Sequence, residues 1–415
     1  MSTALHRTFD GLTVLVTGHT GFKGSWLSIW LRELGARVVG YSLDPPTEPS
    51  NFALSRLTGR MIDLRGDVRD LDHLTQVVAH HAPQVVFHLA AQPLVLPSYH
   101  DPVQTFTTNA LGTVNLLEAL RRASAASPLP GGATSPSAPP SPVRAVVCVT
   151  TDKVYRNQEW PWGYRETDEL GGHDPYAASK AMAELAIASY RQSFFTPGPA
   201  QERANVSSRG GTHHANQPQV GRTTPTRLAS ARAGNVIGGG DWSAHRLVPD
   251  CIRALHAGQP VQLRNPAHVR PWQHLLEPLS GYLWLASRLL GENGARYAEA
   301  WNFGPRERGS VCTEEVVRRI IDLWGSGSYQ TGTTQTEVET AHLRVNSDKA
   351  MARLGWAPVY DWQQAVAETV RWYREYAAQR ARDQSGASID MYATCADQIA
   401  ACTRRAQQQD QPWAR

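Results

Sequence analysis

TVLVTGHTGFKG, residues 13–24, places a short apolar run directly before a glycine-rich loop. The first five residues are rich in β-branched side chains, which is typical of a buried strand. Glycines follow at positions 18, 21 and 24, and residues 25–34 then carry a broad apolar helical face that Gly35 ends. Glycines between a strand and a helix let the backbone approach a pyrophosphate, which the free N–H groups of the helix N-terminus can bind. The stretch therefore predicts a dinucleotide-binding unit.

The alternation of strands and helices continues along the chain. Strand-like apolar runs occur at 37–41, 84–89 and 145–149, and a helical pattern covers 111–120. Continuous apolar strands that alternate with helices are typical of a parallel sheet buried on both faces. We predict an α/β fold: a Rossmann-type doubly wound parallel sheet with a smaller C-terminal α/β substrate domain.

Composition suggests how the chain is divided. We expect an NAD-binding Rossmann domain over 1–230, with insertions at about 123–142 and 197–226 that are rich in small and polar residues. Residues 231–380 would form mainly the substrate domain. Residues 381–415 are polar and read as a tail that frays.

Composition also excludes several classes of protein. The 415 residues include 41 basic and 37 acidic ones, and a net charge of +4 does not indicate nucleic-acid binding. No apolar run is long enough for a membrane span, and the first ten residues do not form a signal peptide. The five cysteines have no CxxC spacing, and His213-His214 lies in a polar stretch without further ligands at metal spacing. We expect no metal, no membrane and no nucleic acid as partners.

Acidic residues after the next two strand-like runs suggest the cofactor. Asp44 lies twenty residues beyond Gly24, at the position where a carboxylate binds ribose hydroxyls. Because a carboxylate there repels a 2′-phosphate, NAD is favoured over NADP, although Lys23 in the loop could still touch phosphate. Asp67 could meet the adenine amino group or could be a solvated turn residue.

A second group of polar residues carries the candidate chemistry. Thr151-Asp152-Lys153 ends the 145–149 strand, and functional groups of open parallel sheets lie beyond the carboxyl ends of strands. Tyr176 and Lys180 are four residues apart, so on a helix they share a face. A nearby ammonium favours the phenolate, so we expect a lowered pKa for Tyr176, which could then take a proton from a sugar hydroxyl.

Taken together, these motifs resemble the extended short-chain dehydrogenase/reductase family, and within it the sugar-nucleotide 4,6-dehydratases. The similar stretches are GHTGFKGSWLS (18–28), HLAAQPLV (88–95), TTDKVY (150–155), GYRE (163–166), DPYAASK (174–180), RAGNVIGGGDW (232–242), RLVPD (246–250), RPWQHLLEPLSGY (270–282) and WNFGP (301–305). At this position, dehydratases that act on dTDP-glucose have an Asp-Glu pair. This chain has Asp152-Lys153 instead, and in this respect it resembles the branch that acts on CDP-glucose. One departure is Leu96, where relatives carry an arginine.

The resemblance implies a redox-neutral reaction of CDP-glucose with NAD as cofactor. Tyr176 would take the proton of the 4-hydroxyl, Thr151 would hydrogen-bond that hydroxyl, and Lys180 would hold Tyr176 and the nicotinamide ribose. Asp152 would protonate the leaving C6 hydroxyl. Lys153 is either the C5 base, a salt-bridge partner of Asp152 or a phosphate contact.

The resemblance also implies binding residues and partners. Cofactor contacts would come from Gly18, Thr20, Gly21, Phe22, Gly24, Asp44, Asp67, Val68, Ala90, Ala91, Asn109, Tyr176 and Lys180. Substrate contacts would come from Gln92, Asn235, Arg246, Arg270 and His274, since guanidinium groups grip diphosphates. A cytoplasmic homodimer or homotetramer in deoxysugar biosynthesis, such as that of lipopolysaccharide O-antigen, is implied as well. The alternatives are an epimerase or decarboxylase of another nucleotide sugar, and a catalytically silent NAD-binding protein.

Overall fold

The computed structural model describes residues 3–124, 143–195, 226–305, 311–332, 343–383, 385–386 and 388–415. The two expected insertions fall almost wholly outside these ranges, and so do His213 and His214.

A parallel sheet of seven strands forms the centre of the fold. The strands in chain order are β1 (Thr13–Thr17), β2 (Arg37–Ser42), β3 (Ile62–Arg65), β4 (Val85–His88), β5 (Ala145–Val149), β6 (Arg227–Ala233), β7 (Val236–Ile237), β8 (Val261–Leu263), β9 (Val269–Arg270), β10 (Gln273–His274), β11 (Ala300–Phe303), β12 (Val311–Cys312) and β13 (Tyr329–Thr331). The large sheet has the order β11-β6-β5-β4-β1-β2-β3, and every neighbouring pair in it is parallel. The other strands form three short pairs, β10-β7, β12-β9 and β13-β8. The predicted doubly wound α/β architecture is confirmed.

Helices cover both faces of the sheet. The α-helices are α1 (Ala4–Phe9), α2 (Phe22–Glu33), α3 (Asn51–Leu54), α4 (Leu71–His81), α5 (Val95–His100), α6 (Pro102–Phe106), α7 (Gly112–Ser124), α8 (Pro175–Tyr190), α9 (Leu247–His256), α10 (Leu276–Leu290), α11 (Thr313–Trp324), α12 (Trp362–Arg382) and α13 (Tyr392–Gln408). Single π turns occur at Thr107–Leu111, Arg191–Phe195 and Ala350–Leu354. Alternate side chains of β1 enter different cores, Val14 and Val16 one and Leu15 the other, because successive residues of a strand point to opposite faces.

The two predicted halves are interleaved rather than separate. β11 comes from within 231–380, yet it pairs with β6 at the edge of the large sheet. One hydrophobic core contains Val14 of β1, Trp301 of β11 and Trp413 near the C-terminus. The division near residue 230 therefore separates stretches of chain but divides neither the sheet nor this core.

The C-terminal segment is packed and helical, so the expectation of a fraying tail is wrong. Trp413 is fully buried, and its ring lies 5.9 Å from that of Trp30 on α2. The buried positions of α13 recur at helical spacing and, apart from Gln398, are small or apolar, which gives the segment an apolar face despite its polar average. They include Cys395, Ile399, Cys402 and Ala406.

Two features of the described ranges concern membranes and metals. No helix there is long and apolar enough to cross a membrane. No group of three or more His, Cys, Asp or Glu side chains in those ranges is arranged to hold a metal ion.

Candidate active site

The glycine loop forms a backbone cradle at the carboxyl ends of β1 and β4. Gly18 has φ +76°, and a Cβ there would lie 2.6 Å from the backbone nitrogen of Ala90. A Cβ on Gly24 would lie 2.1 Å from the carbonyl oxygen of Gly18. Gly21 is the N-cap of α2 and brings no side chain to the first-turn N–H groups. The cradle therefore fits a pyrophosphate, which needs close backbone approach and a helix N-terminus.

Side chains next to the cradle hold the loop against the sheet. The Thr20 hydroxyl donates to the carbonyl oxygen of Leu43 at 3.0 Å and lies 2.8 Å from the Ser42 hydroxyl. Phe22 lies beside Gly238, where a Cβ would be 3.2 Å from the end of its ring. The structure thus gives Thr20 a role in tying the loop to β2.

Asp44 is the exposed carboxylate of the cofactor side. Its side chain is 89 % exposed beyond β2, and Arg65 at the end of β3 approaches it with a distance of 3.1 Å between Nε and Oδ1. Asp67 is engaged by Arg69, whose hydrogen bonds hold the pKa of that carboxyl below its usual range. Val68 is buried against Gly112. Asp44 is thus available to ribose hydroxyls, and Arg65 is a neighbour that the sequence pattern did not reveal.

The loop after β4 is fixed by two amides. Asn109 is fully buried; it accepts from the Gln92 backbone N–H at 2.8 Å and donates to the Gln92 carbonyl oxygen at 3.1 Å and to Ser179 Oγ at 2.9 Å. The Gln92 side chain donates to Thr105 Oγ1 at 3.0 Å. These bonds shape the backbone around Ala90 and Ala91, and the ligand contacts of Gln92 and Asn109 stay predictions.

The Tyr176/Lys180 pair lies on the first turns of α8. Asp174 caps this helix by accepting from the Ala177 N–H at 2.8 Å, and Pro175 supplies a preset first position. Tyr176 is 7 % exposed and Lys180 5 % exposed, and the Tyr176 hydroxyl is hydrogen-bonded to Thr151 at the end of β5. The structure therefore brings the candidate catalytic residues of α8 and β5 together.

The electrostatics of this pair differ from the expectation. Burial raises the pKa of Tyr176 to about 12, although the hydrogen bond with Thr151 acts in the other direction. Lys180 Nζ donates towards the Val149 carbonyl oxygen at 3.5 Å, and burial lowers the pKa of Lys180 to about 8. The expected lowering of the Tyr176 pKa is therefore wrong for this structure, because burial penalises the phenolate more than the hydrogen bond with Thr151 and the charge of Arg246 stabilise it.

Asp152 lies buried beside Thr151, whose hydroxyl donates to its Oδ1 at 2.9 Å. A Cβ on Gly234 would lie 2.9 Å from Asp152 Oδ2, so the carboxyl packs against the turn after β6. Burial raises the pKa of Asp152, while the positive charge of the half-buried Lys153 opposes that shift. A carboxyl that holds its proton more firmly suits a proton donor.

Positively charged side chains from before and after residue 230 act on Tyr176 and Asp152. Arg246 precedes the first residue of α9, donates to Asp241 Oδ2 at 3.0 Å, and its charge acts on Tyr176. Arg270 on β9 donates to the Val269 carbonyl oxygen at 3.0 Å, and its charge acts on Asp152. Lys23 also acts on Asp152; burial, and then the charge of Arg246, lower the pKa of Lys23 to about 8. The half-buried Asn235 follows Gly234, so it lies near the same carboxyl.

His274 does not join this site, and the expectation that it contacts substrate is wrong. It is fully buried on β10, and its ring packs edge-on against Trp26 at 6.4 Å and Tyr360 at 5.7 Å between centroids. Burial lowers the pKa of His274 to about 3. His274 is therefore a core residue.

The sequence patterns did not reveal a buried ion pair near the candidate catalytic residues. Glu184 lies one turn beyond Lys180 on α8 and pairs with Arg232 of β6 at 2.8 Å. The spacing of four from Lys180 was visible in the sequence, but its partner on a distant strand was not.

Similarity to known proteins identifies the family of this chain. The sequence profile of the GDP-mannose 4,6 dehydratase family matches residues 15–274. The chain belongs to this dehydratase family, within the extended short-chain dehydrogenases/reductases. A CDP-glucose 4,6-dehydratase of Salmonella typhimurium is 44 % identical to this family member over 89 % of the chain and 92 % of the relative. A dTDP-glucose 4,6-dehydratase of Xanthomonas campestris is 26 % identical over 87 % of the chain and 93 % of the relative.

Solved structures show that the family fold extends over most of this dehydratase-family chain. A dTDP-glucose 4,6-dehydratase of Streptomyces venezuelae with NAD and TYD bound has a TM-score of 0.67 at 22 % identity, covering 89 % of this chain and 98 % of the other. A UDP-glucose 4-epimerase of Thermotoga maritima with UDP-glucose has a TM-score of 0.66 at 18 % identity, covering 88 % of this chain and all of the other.

Proposed function

We propose that this chain is an NAD-dependent CDP-glucose 4,6-dehydratase, which converts CDP-glucose to CDP-4-dehydro-6-deoxyglucose and water. The observation that carries the proposal is the buried Asp152, with a raised pKa, beside Thr151 and Tyr176. Epimerases and decarboxylases of nucleotide sugars also begin by oxidising C4, but they need no acid to expel the C6 hydroxyl. The 44 % identity to the Salmonella CDP-glucose enzyme supports the choice of substrate.

The residues present fit the cofactor. The glycine cradle would take the pyrophosphate, Asp44 would bind the adenosine ribose hydroxyls, and Lys180 would hold the nicotinamide ribose. When bound, NAD supplies an acceptor that takes the C4 hydride and later returns it to C6. The reaction therefore ends with the cofactor in its starting state.

Tyr176 would act as the base for the first step. Its hydroxyl is hydrogen-bonded to Thr151, which would also hold the substrate 4-hydroxyl. Because burial raises the pKa of Tyr176 to about 12, the phenolate depends on positive charge around it. Arg246 provides such charge, and we propose that the ammonium of Lys180, one turn along α8, adds to it.

Asp152 would act in the elimination step. Once C4 is a ketone, the C5 hydrogen is acidic, and the protonated Asp152 would give its proton to the leaving C6 hydroxyl. Lys153 would either remove the C5 proton or hold Asp152 through its charge. Lys153→Met separates these roles: exchange of the C5 hydrogen with deuterium from solvent is lost only if Lys153 is the base.

The substrate diphosphate would lie between the two halves. Arg246 and Arg270 come from the chain beyond residue 230, yet their charges act on Tyr176 and Asp152 respectively. Guanidinium groups bind phosphate oxygens with two parallel hydrogen bonds. We propose that these two arginines and Asn235 orient the nucleotide so that the glucose reaches Tyr176.

We also propose a homodimer formed through α7 and α8, with a homotetramer as the larger alternative. Exposed apolar side chains on and beside these helices support this face, because contiguous exposed apolar residues often mark an interface. They are Val103, Leu111, Met182, Leu185 and Phe194. Sedimentation equilibrium would distinguish these states. The reaction would take place in the cytoplasm during deoxysugar biosynthesis, such as that of the O-antigen.

The decisive test is turnover of purified chain with catalytic NAD⁺ and CDP-glucose, dTDP-glucose or GDP-mannose in parallel. Products are detected by the absorbance that 4-keto-6-deoxy sugars develop in alkali. We expect signal with CDP-glucose; its absence there contradicts the proposal. NADP⁺ is tested alongside because Arg65 lies beside Asp44. An epimerase would instead give a product that keeps its 6-hydroxyl, and a silent protein would bind NADH without turnover.

A further inference from the structure

We propose that Glu184 is a positioning residue for the Tyr176/Lys180 pair and for the Thr150–Thr151 end of β5. This inference rests on the proposed dehydratase function and deepens it, because it concerns how the site is held rather than which groups react. Tyr176, Lys180 and Glu184 recur every four residues on α8, so they lie on one face of the helix. All three are buried, with exposures of 7 %, 5 % and 3 %.

The carboxylate of Glu184 is fully saturated with hydrogen bonds. Thr150 Oγ1 donates to it at 2.5 Å and Ser230 Oγ at 2.8 Å. Arg232 donates twice, from Nε at 3.0 Å and from Nη2 at 2.8 Å. Burial would raise the pKa of Glu184, but the charge of Arg232 and these bonds outweigh it, and the pKa is lowered. Glu184 is therefore a fixed negative charge.

Arg232, the partner of this charge, is held in place by further hydrogen bonds. Its Nη1 donates to the Tyr155 hydroxyl at 2.7 Å and to the Glu166 carbonyl oxygen at 3.2 Å. Tyr155 in turn donates to Asn302 Oδ1 on β11 at 2.8 Å. The carboxylate is thus bonded directly to β6 and to the residue that follows β5, and it is connected to β11 through Arg232 and Tyr155. It cannot shift without breaking several bonds.

The contacts of Glu184 affect the candidate active site in two ways. The first is geometric: the bond from Thr150 to Glu184 fixes the residue next to Thr151, which carries the hydrogen bonds to Tyr176 and Asp152. The second is electrostatic: burial lowers the pKa of Lys180 to about 8, and the negative charge of Glu184 opposes that lowering. Glu184 therefore helps Lys180 to remain an ammonium at neutral pH.

Other titratable groups face Lys180 and Glu184. Cys148 on β5 would oppose the lowering of the Lys180 pKa only as a thiolate. The charge of Lys180 contributes to the lowered pKa values of His88 on β4 and Lys23 on α2. The charge of Glu184 opposes the lowering of the Arg191 pKa beyond α8. The pKa of Cys148 is raised to about 12, and that of His88 is lowered to about 3, in both cases chiefly by burial. These two are therefore neutral near pH 8, and Glu184 is the anion nearest along the helix.

The test compares kcat, KM and the pH profile of the full chain with those of Glu184→Gln. We expect a kcat reduced at least tenfold with KM within about twofold, and a basic limb moved to lower pH by about one unit as Lys180 loses its proton earlier. Glu184→Asp, which keeps the charge, restores the position of the basic limb. NADH binding, followed by fluorescence titration, is retained. An unchanged pH profile in folded Glu184→Gln overturns the proposal.

Thr150→Val covers the case in which Glu184→Gln fails to fold because Arg232 is left buried without its partner. It removes one hydroxyl from the carboxylate and leaves the Glu184–Arg232 pair intact, and we expect a lower kcat with unchanged melting temperature. Ser230→Ala is the matched control, since it removes the bond from β6 and leaves β5 alone. Equal kcat in these two variants overturns the geometric part. If the parent chain itself turns over no CDP-glucose, the proposed function has failed instead.

Discussion

Replacing Asp152 with Asn tests the acid that separates a dehydratase from an epimerase. The side chain keeps its shape in a buried position where the Thr151 hydroxyl donates to Oδ1 at 2.9 Å. Asn cannot give a proton to the leaving C6 hydroxyl. General acid catalysis contributes about 10² to 10⁴ in rate. We therefore expect dehydration to slow by that factor, or about 3–5 kcal/mol in activation free energy.

The same variant should retain the first half of the reaction. Tyr176, Thr151 and Lys180 are unchanged, so C4 oxidation proceeds and reduced cofactor accumulates, visible by its absorbance when CDP-glucose is mixed with stoichiometric NAD⁺. Asp174→Asn is the matched control: it also removes a carboxylate whose charge acts on Tyr176, and Asn caps a helix as well as Asp does. Product formation by Asp152→Asn at the parent rate would refute the acid assignment. Loss of cofactor reduction as well would assign Asp152 to the oxidation step.

Three further predictions concern the cradle, the C-terminus and pH. Gly24→Ala places a Cβ 2.1 Å from the Gly18 carbonyl oxygen, so we expect a loss of about 1–3 kcal/mol in unfolding free energy and weaker NADH binding. The control Gly59→Ala has nothing within 4 Å of its Cβ and should have the melting temperature of the parent. Trp413→Ala removes a fully buried side chain that packs against Trp30, so chemical denaturation should show a free energy of unfolding lower by about 3–5 kcal/mol. The control Trp162→Ala changes an exposed residue and should keep this free energy within about 0.5 kcal/mol of the parent. Because the pKa of Lys180 is about 8 and its charged form supports the phenolate, kcat should fall as pH rises through that value; a flat profile between neutrality and pH 10 contradicts this role.

The nucleotide-binding half could be predicted well because its signals are local. The strands at Thr13–Thr17 and Ala145–Val149 match the predicted apolar runs residue for residue. The glycine loop joins β1 to α2 as its spacing indicates, with Gly24 in the first turn of the helix, and Tyr176 and Lys180 share a helix face. Each of these features depends on neighbours within a few residues, which a sequence displays directly.

The errors depend on tertiary contacts. His274 was expected at the substrate, but whether a residue of a short strand faces the core or the site is decided by packing, here against Trp26 and Tyr360. Arg65 reaches Asp44 across neighbouring strands, so no sequence spacing reveals it. The C-terminal helix was missed for a different reason: its polar average concealed a regular spacing of small and apolar residues, which a periodicity count over 395–406 detects.

The shared hydrophobic core determines how this molecule unfolds. Residues from β1, β11 and the last turns of the chain contribute to one hydrophobic cluster, and α13 packs against α2, the helix that follows the glycine loop. Because the cofactor-binding half packs against residues from the far end of the chain, neither part can unfold separately from the other. Amide hydrogens of β1 and of α13 should therefore exchange through the same global opening, and nucleotide added to the folded protein should slow both together.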